Sequence, residues 1–275
     1  MVQLGRCDYT HLPKRAANAV GRQWILLAPA VVRYDAAVRG LILVVCLVGC
    51  DVTLSAMHNI YSRGADHPVL CGVNIDNKNV VSTDAISMAL DKAQVEQLVV
   101  HMYTHKPAGT VDESTIEQIL AAAADRLMPF VTYRQLVEGK ATYGLAFSFD
   151  DHDLDGWYPL RDIFDLYGAT VTFFISAYHT LGDPERRKLR DLAADGHSID
   201  YHSTFHENAE TYERDFGVDA YIADDILPDL ELMRADGFDP TTFAYPFGAR
   251  TLTTDAALLQ HFPLIRASDF NCPHN

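Results

Sequence analysis

Two short runs concentrate the side chains that can do chemistry. Ala146-Phe147-Ser148-Phe149-Asp150-Asp151 is an apolar strand that ends in adjacent carboxylates, and roughly fifty residues later His202-Ser203-Thr204-Phe205-His206 places two imidazoles four apart. Two imidazoles and one carboxylate are a donor set for a divalent metal, and the second carboxylate is left over. Adjacent residues leaving a strand point in different directions, so one carboxylate can ligate while its neighbour faces the water to be activated, where a general base is needed. If the segment after Tyr201 turns helical, His202 and His206 share one face and reach one ion. Zinc suits this set best; cobalt and nickel are compatible by ligand type. The residues therefore point to a metal-dependent hydrolase.

The elements that must position them alternate along the chain. Apolar or β-branched runs predict strands near 70–75, 98–103, 130–133, 145–149, 171–175, 197–201, 242–245 and 264–267, with helices at 85–92, 114–127, 157–167, 184–194 and 220–236 among them. The polar and aromatic segment 207–217 reads as a loop over the site or as an exposed connection, with the loop favoured. At 275 residues and 48% hydrophobic content, the chain can bury one sizeable core, and the alternation argues for a single α/β domain. A formal net charge of -15 and a pI near 5.1 disfavour polyanions, and no basic stripe with interleaved aromatics invites nucleic acid. An uncharged or cationic sugar polymer is not repelled. Trp157, Tyr158, Tyr245 and Phe247 are the aromatics expected near the site, where they could stack on sugar faces.

Together the motifs resemble those of the polysaccharide deacetylase family, the fourth carbohydrate esterase family. Ser148-Phe149-Asp150-Asp151 matches its first motif, His202 to His206 its second, and Phe243-Ala244-Tyr245-Pro246-Phe247-Gly248, loosely, its aromatic-proline third. Gly168-Ala169-Thr170-Val171-Thr172-Phe173-Phe174-Ile175 resembles the end of the family's first strand-helix-strand unit. The resemblance covers most of residues 70–268 and implies an irregular, seven-stranded (β/α) barrel. It also implies that Asp150 is the catalytic base, that Asp151, His202 and His206 hold the metal, and that the turn at Tyr245, Pro246 and Phe247 contacts substrate and supplies an oxyanion-binding backbone N–H.

Two departures stand out. Many members carry, in the third motif, an Arg that buttresses the base; this chain has Ala244 there, leaving Arg250 or Arg266 as substitutes, and His152 replaces the Gly that often follows the acidic pair. The family's closing strand, Leu-x-x-His, whose His protonates the leaving group, has no counterpart after Arg266. It lies ahead of the first motif, in Leu98-Val99-Val100-His101-Met102-Tyr103-Thr104-His105. His101 fits the letter spacing, whereas His105 lies nearer the strand's end, where barrel active sites are built, and is favoured. This order implies a circular permutation, which a barrel tolerates because its termini lie close together. The permutation would make the strands near Cys71 and Cys272 neighbours, and in an exported protein those two cysteines are expected to pair.

Leu41-Ile42-Leu43-Val44-Val45-Cys46-Leu47-Val48-Gly49-Cys50, flanked by Arg39, is too short to span a bilayer and suits the core of a secretory signal. Its end resembles a bacterial lipobox with Cys50 as the lipidated residue. Residues 1–37 precede this signal without resembling part of it, as a start assigned too early would leave them. The expectation is a leader over 1–50 and one catalytic domain over 51–275, exported and held at a bacterial envelope membrane only by a lipid anchor. The expected reaction is removal of acetyl groups from an N-acetylated polysaccharide, a hydrolysis of carbon-nitrogen bonds other than peptide bonds. An O-acetyl esterase on a xylan-like polymer is the enzymatic alternative. A non-catalytic glycan-binding surface lipoprotein is the other, although a binding module has no use for the spare carboxylate at Asp150.

Overall fold

The computed structural model describes residue 54, residues 59–79 and residues 81–272. The expected leader and signal over 1–50, with Cys50, lie outside the described residues. Seven strands run parallel and close on themselves: β2 (Val69–Asn74), β3 (Val99–Thr104), β4 (Gly144–Asp151), β5 (Thr172–Ile175), β6 (Ser198–Tyr201), β7 (Thr242–Ala244) and β8 (Leu264–Ser268), with β8 pairing back onto β2. A short β1 (Tyr61–Ser62) adds antiparallel to the first half of β3, because β2 meets β3 only at Met102 and Tyr103. The fold is thus an α/β barrel of seven parallel strands, as expected.

Period-2 alternation sorts each strand into an inward and an outward row. Val100, Met102, Leu145, Phe147, Phe149, Phe173 and Ile265 face the helices. Their alternates Leu70, Val99, Ala146, Phe174, Ala244 and Leu264 form a separate inner cluster, plugged at the bottom by Val131, Tyr133 and Leu136. Further along the inward rows come His101, Ser148 and Arg266, all buried, with Asp150 two residues beyond Ser148. The barrel interior is therefore apolar below and polar toward the carboxyl ends of its strands. Gly144 begins β4 at φ 143°, where an added Cβ would lie 2.3 Å from the carbonyl oxygen of Pro129, so no larger residue fits.

Three local expectations differ from the structure. Segment 130–133 is not a strand: Phe130 makes one isolated bridge to Leu145, and a helix, Tyr133–Val137, begins at once behind a capping box of Thr132 and Gln135. Segment 207–217 is not a loop, since Asn208 accepts the N–H of Thr211 and caps the helix Ala209–Phe216. The helix expected over 220–236 is broken into Val218–Tyr221, a π-turn at Ile222–Ile226, and Leu227–Ala235. Pro228 sits just after the π-turn and has no N–H for the regular ladder, which accounts for the widened turn.

Candidate metal and acid-base site

The acidic pair splits as the strand ends. Asp150 continues the inward row of β4 and is buried, while Asp151 takes a left-handed backbone, φ 88°, and swings its carboxylate to the rim. There Asp151 Oδ1 lies 3.2 Å from His206 Nε2 and 3.6 Å from His202 Nε2. Ligands bound at about 2.0–2.2 Å in a tetrahedron stand roughly 3.3–3.6 Å from one another, so these separations match the edges of a zinc-type site. Among the described residues this is the one cluster of three such donors, all within 4.8 Å of each other.

His202 and His206 are not on a helix. They occupy an irregular loop after β6, in which Ser203 (φ 73°) and His206 (φ 59°) are both left-handed. Hydrogen bonds hold this shape: His206 N–H donates to Ser203 Oγ at 2.9 Å, Thr204 N–H to the Asp225 carbonyl at 2.7 Å, and Phe205 N–H to Asp225 Oδ1. The Nδ1 of His202 lies 2.8 Å from the Ala244 carbonyl oxygen and donates to it, which fixes the tautomer and turns Nε2 toward Asp151. Burial pushes the His202 pKa down to about 4, against the pull of the Asp150 carboxylate, so the ring stays in the neutral, ligating form. Asp151 is held well below the usual carboxylate range: burial alone would raise it, but a hydrogen bond from His206 and the nearby imidazoles outweigh that.

Asp150 is the partner of Arg266. The Arg266 Nη2 donates to Asp150 Oδ2, with side chains only 1% and 2% exposed, and the guanidinium lies 4.1 Å from the Tyr103 ring centre and 5.3 Å from that of Phe174. Of the two candidates for the missing motif Arg, Arg266 buttresses Asp150, whereas Arg250 pairs with Asp255. The other oxygen, Asp150 Oδ1, is buried without a hydrogen-bond partner. Such an orphan is costly unless a ligand uses it, and here it lies beside the three metal donors.

The two candidate acids separate clearly. His101 is buried inside the barrel, with Nε2 2.8 Å from Ser62 Oγ and Nδ1 3.1 Å from Tyr133 OH, and it borders neither cavity at the site. His101 as acid is therefore corrected: it is a satisfied core histidine. His105 lies just past the end of β3 and lines the cavities that contain Asp150, Asp151 and His206. Its Nδ1 is 2.7 Å from Asp76 Oδ2, and its carbonyl accepts the Trp157 indole N–H at 2.7 Å. Burial would lower the His105 pKa, but the bond to Asp76 and the charges of Asp150 and Asp151 raise it above its ordinary value. Asp76, buried after β2, also accepts the hydroxyls of Thr104 at 2.7 Å and Thr110 at 3.0 Å. Sequence reasoning missed it; the available signal was an acid directly after an apolar strand, at the same barrel end as Asp150.

Of the third-motif turn, Tyr245, Phe247 and Gly248 border the cavity. Phe247 is 61% exposed, has a left-handed backbone and sits 4.6 Å, ring to ring, from His206. Tyr245 reaches the cavity wall but is buried, its hydroxyl donating to Asp255 Oδ1 and lying 2.9 Å from Thr254 Oγ1, and Pro246 is buried outside the cavity. Of the other aromatics expected to stack on sugars, Trp157 is buried and Tyr158 points to Asp191. Cys71 on β2 and Cys272 are disulfide-bonded, with Cα atoms 5.8 Å apart, so the last described residue is tied to the first barrel strand.

Among solved structures the chain is similar to IcaB from Ammonifex degensii, with 18% identity, 64% of this chain and 86% of that one covered, and a TM-score of 0.47. It is also similar to the Streptococcus pyogenes deacetylase PplD, with 17% identity, coverages of 74% and 95%, and a TM-score of 0.36. No curated protein sequence matches it significantly. The family model that matches is that of polysaccharide deacetylase, over residues 140–261, a segment that contains Asp150, Asp151, His202, His206 and the turn at Phe247. Over that segment the chain is similar to the polysaccharide deacetylase family.

Proposed function

We propose that this protein is a metal-dependent deacetylase that hydrolyses the acetamide groups of an N-acetylated polysaccharide. One observation carries the reading: a three-donor metal cluster, an orphaned base oxygen and a carboxylate-held imidazole border the same cavity. Asp151, His202 and His206 would hold the ion, which supplies Lewis-acid polarisation of the acetyl carbonyl and acidifies water. Asp150 Oδ1 accepts the proton of the attacking water. The Arg266 guanidinium fixes the carboxylate's orientation through Oδ2 and neutralises it without covering Oδ1. His105, with Nδ1 committed to Asp76, offers Nε2 to the departing nitrogen, and its raised pKa favours the protonated form that role needs. The amide leaving group is the poorer one and needs that proton, which favours amide over ester substrates. A glycan-binding protein without turnover would have no reason to keep Asp150 Oδ1 buried and unpaired.

We also infer a circularly permuted order, because the acid-bearing β3 precedes the strand with the acidic pair. Export with a lipid on Cys50 is proposed from the 41–50 run alone. The functional test is acetate release from a panel of N- and O-acetylated glycans by the zinc-loaded protein. Asp150→Asn should keep the metal and lose turnover, whereas His206→Ala should lose the metal. Equal metal loss in both variants, by elemental analysis, would refute the assignment of Asp150 as base.

A further inference from the structure

The two imidazoles of the donor set are held in different ways. His202 is fixed through its ring, because its Nδ1 donates to the Ala244 carbonyl oxygen. His206 Nδ1 has no hydrogen-bond partner among the described residues, and its ring is packed against Phe247 and His202, at 4.6 and 4.9 Å between centres. A metal-binding imidazole is ordinarily aimed by a hydrogen bond on its other nitrogen. The aim of His206 must therefore come from its backbone, which is left-handed at Ser203 and again at His206. A loop under such strain keeps its shape only where the surrounding structure over-determines it.

The surrounding contacts converge on Asp225, which is fully buried in the π-turn Ile222–Ile226. Its carboxylate Oδ1 accepts the Phe205 N–H, and its carbonyl oxygen accepts the Thr204 N–H at 2.7 Å. Four residues later, Asp229 carries the N–H that faces the carbonyl of 225 in a regular α-helix, and this N–H donates to Thr204 Oγ1 at 3.3 Å. Thr204 thus joins the helix rung between 225 and 229: its N–H goes to the carbonyl at one end, and its hydroxyl oxygen receives the N–H at the other. Tyr201, the last residue of β6, closes the arrangement, with its hydroxyl 2.9 Å from Thr204 Oγ1 and donating to the Ile226 carbonyl at 2.8 Å. π-turns inside helices are frequent at functional sites. This one presents a carboxylate and a carbonyl to the loop that carries His206.

On the metal-dependent reading above, we propose that Asp225 and Thr204 are positioning residues for the metal: they latch the His206 loop onto the π-turn and so set the affinity for the ion, without ligating it themselves. The test is the zinc affinity of the full chain, by competition with a chromogenic chelator, at a temperature where circular dichroism shows the metal-free proteins folded. Asp225→Ala and Thr204→Val should each weaken zinc binding by about 10- to 100-fold. Asp225→Asn keeps an acceptor for the Phe205 N–H and Thr204→Ser keeps the hydroxyl, so both should recover most of the affinity. Thr204→Val exchanges a hydroxyl for a methyl at nearly constant shape, and it decides the matter if Asp225→Ala does not fold. Wild-type zinc affinity in Thr204→Val, or in a folded Asp225→Ala, would overturn the proposal even if the metal-free protein became less stable, because the latch would then be structural only. Equal losses in Asp225→Ala and Asp225→Asn would overturn it as well, since the effect would follow the charge and not the hydrogen bond. A wild type that binds no zinc would instead defeat the metal-site reading itself.

Discussion

The ion pair between Asp150 and Arg266 should reveal itself in a double-mutant cycle. Both side chains are almost fully excluded from solvent, at 2% and 1% exposure, and the only strong compensation for the buried carboxylate is the guanidinium. Arg266→Met keeps much of the volume but strands a buried negative charge, which costs about 3–5 kcal/mol. The lost stacking of the guanidinium over Tyr103, 4.1 Å away, adds to this. Asp150→Asn keeps an acceptor oxygen for Arg266 and should cost less, about 1–3 kcal/mol. The double variant removes both charges, and replacing a whole buried pair by neutral groups is often nearly neutral. The two single losses should therefore exceed the double loss by at least about 2 kcal/mol. For a domain of this size, Arg266→Met corresponds to a fall in Tm of roughly 6–20 °C. Urea and thermal unfolding should be followed in excess chelator, because a bound ion adds its own stabilisation. Additivity within about 0.5 kcal/mol would show that the two groups do not depend on each other, and would refute Arg266 as the buttress of the base.

Four further outcomes are expected. Asp76→Asn should lower kcat on an acetamide by about 10²-fold and leave an aryl acetate, whose leaving group needs no proton, much less affected; an equal loss on both would remove His105 from the role of acid. Burial pushes the pKa of His101 to about 3 and of His197 to about 4, so the folded state binds fewer protons than the unfolded chain below pH 6.5. Stability is then complete above about pH 6.5 and falls as pH drops toward 4, by about 2 kcal/mol per histidine at pH 5, partly offset by Asp225, whose pKa burial raises to about 6; urea midpoints at pH 7 and pH 5 that coincide would contradict this. Cys272→Ser opens a bridge across a sequence separation of 201 and should cost about 3–5 kcal/mol, whereas two reactive thiols in the denatured, unreduced protein would show that no bridge forms. Cys50→Ser should free the protein from the membrane fraction of a bacterial host, and a variant that stays membrane-bound would refute lipidation at Cys50.

Much of the barrel was legible because buried parallel strands read as apolar runs, and β3 and β4 are buried along nearly their whole length. The failures were local. The run 130–133 is apolar and β-branched enough for a strand, but Pro129 removes a ladder donor and the Thr132–Gln135 capping box starts a helix. His202 and His206 do converge, yet through two left-handed residues and not through helical spacing. The positive φ at Ser203 and His206 is strained for side-chain-bearing residues and is held by tertiary contacts with Asp225, which no local pattern announces.

The site divides along the same line. Residues adjacent in sequence, Asp150 with Asp151 and His202 with His206, announced themselves by spacing. Of the partners that tune them, His105 and Arg266 were each named only as one of two candidates and Asp76 was missed, because barrel closure brings them from elsewhere: Asp76 follows β2, His105 follows β3, and Arg266 lies on β8, all outside the family-matched segment 140–261. The missing Arg of the third motif illustrates the physics. Position 244 lies on β7 and is Ala, but only its carbonyl is used, to orient His202, while Arg266 on the paired strand β8 occupies the register position opposite Ala244 and delivers its guanidinium to Asp150. A barrel fixes where a charge must end up, at the inward row below the rim, and leaves open which neighbouring strand supplies it. A long, planar cation can reach the same carboxylate from either strand, so the sequence position of the buttress drifts while its chemistry stays.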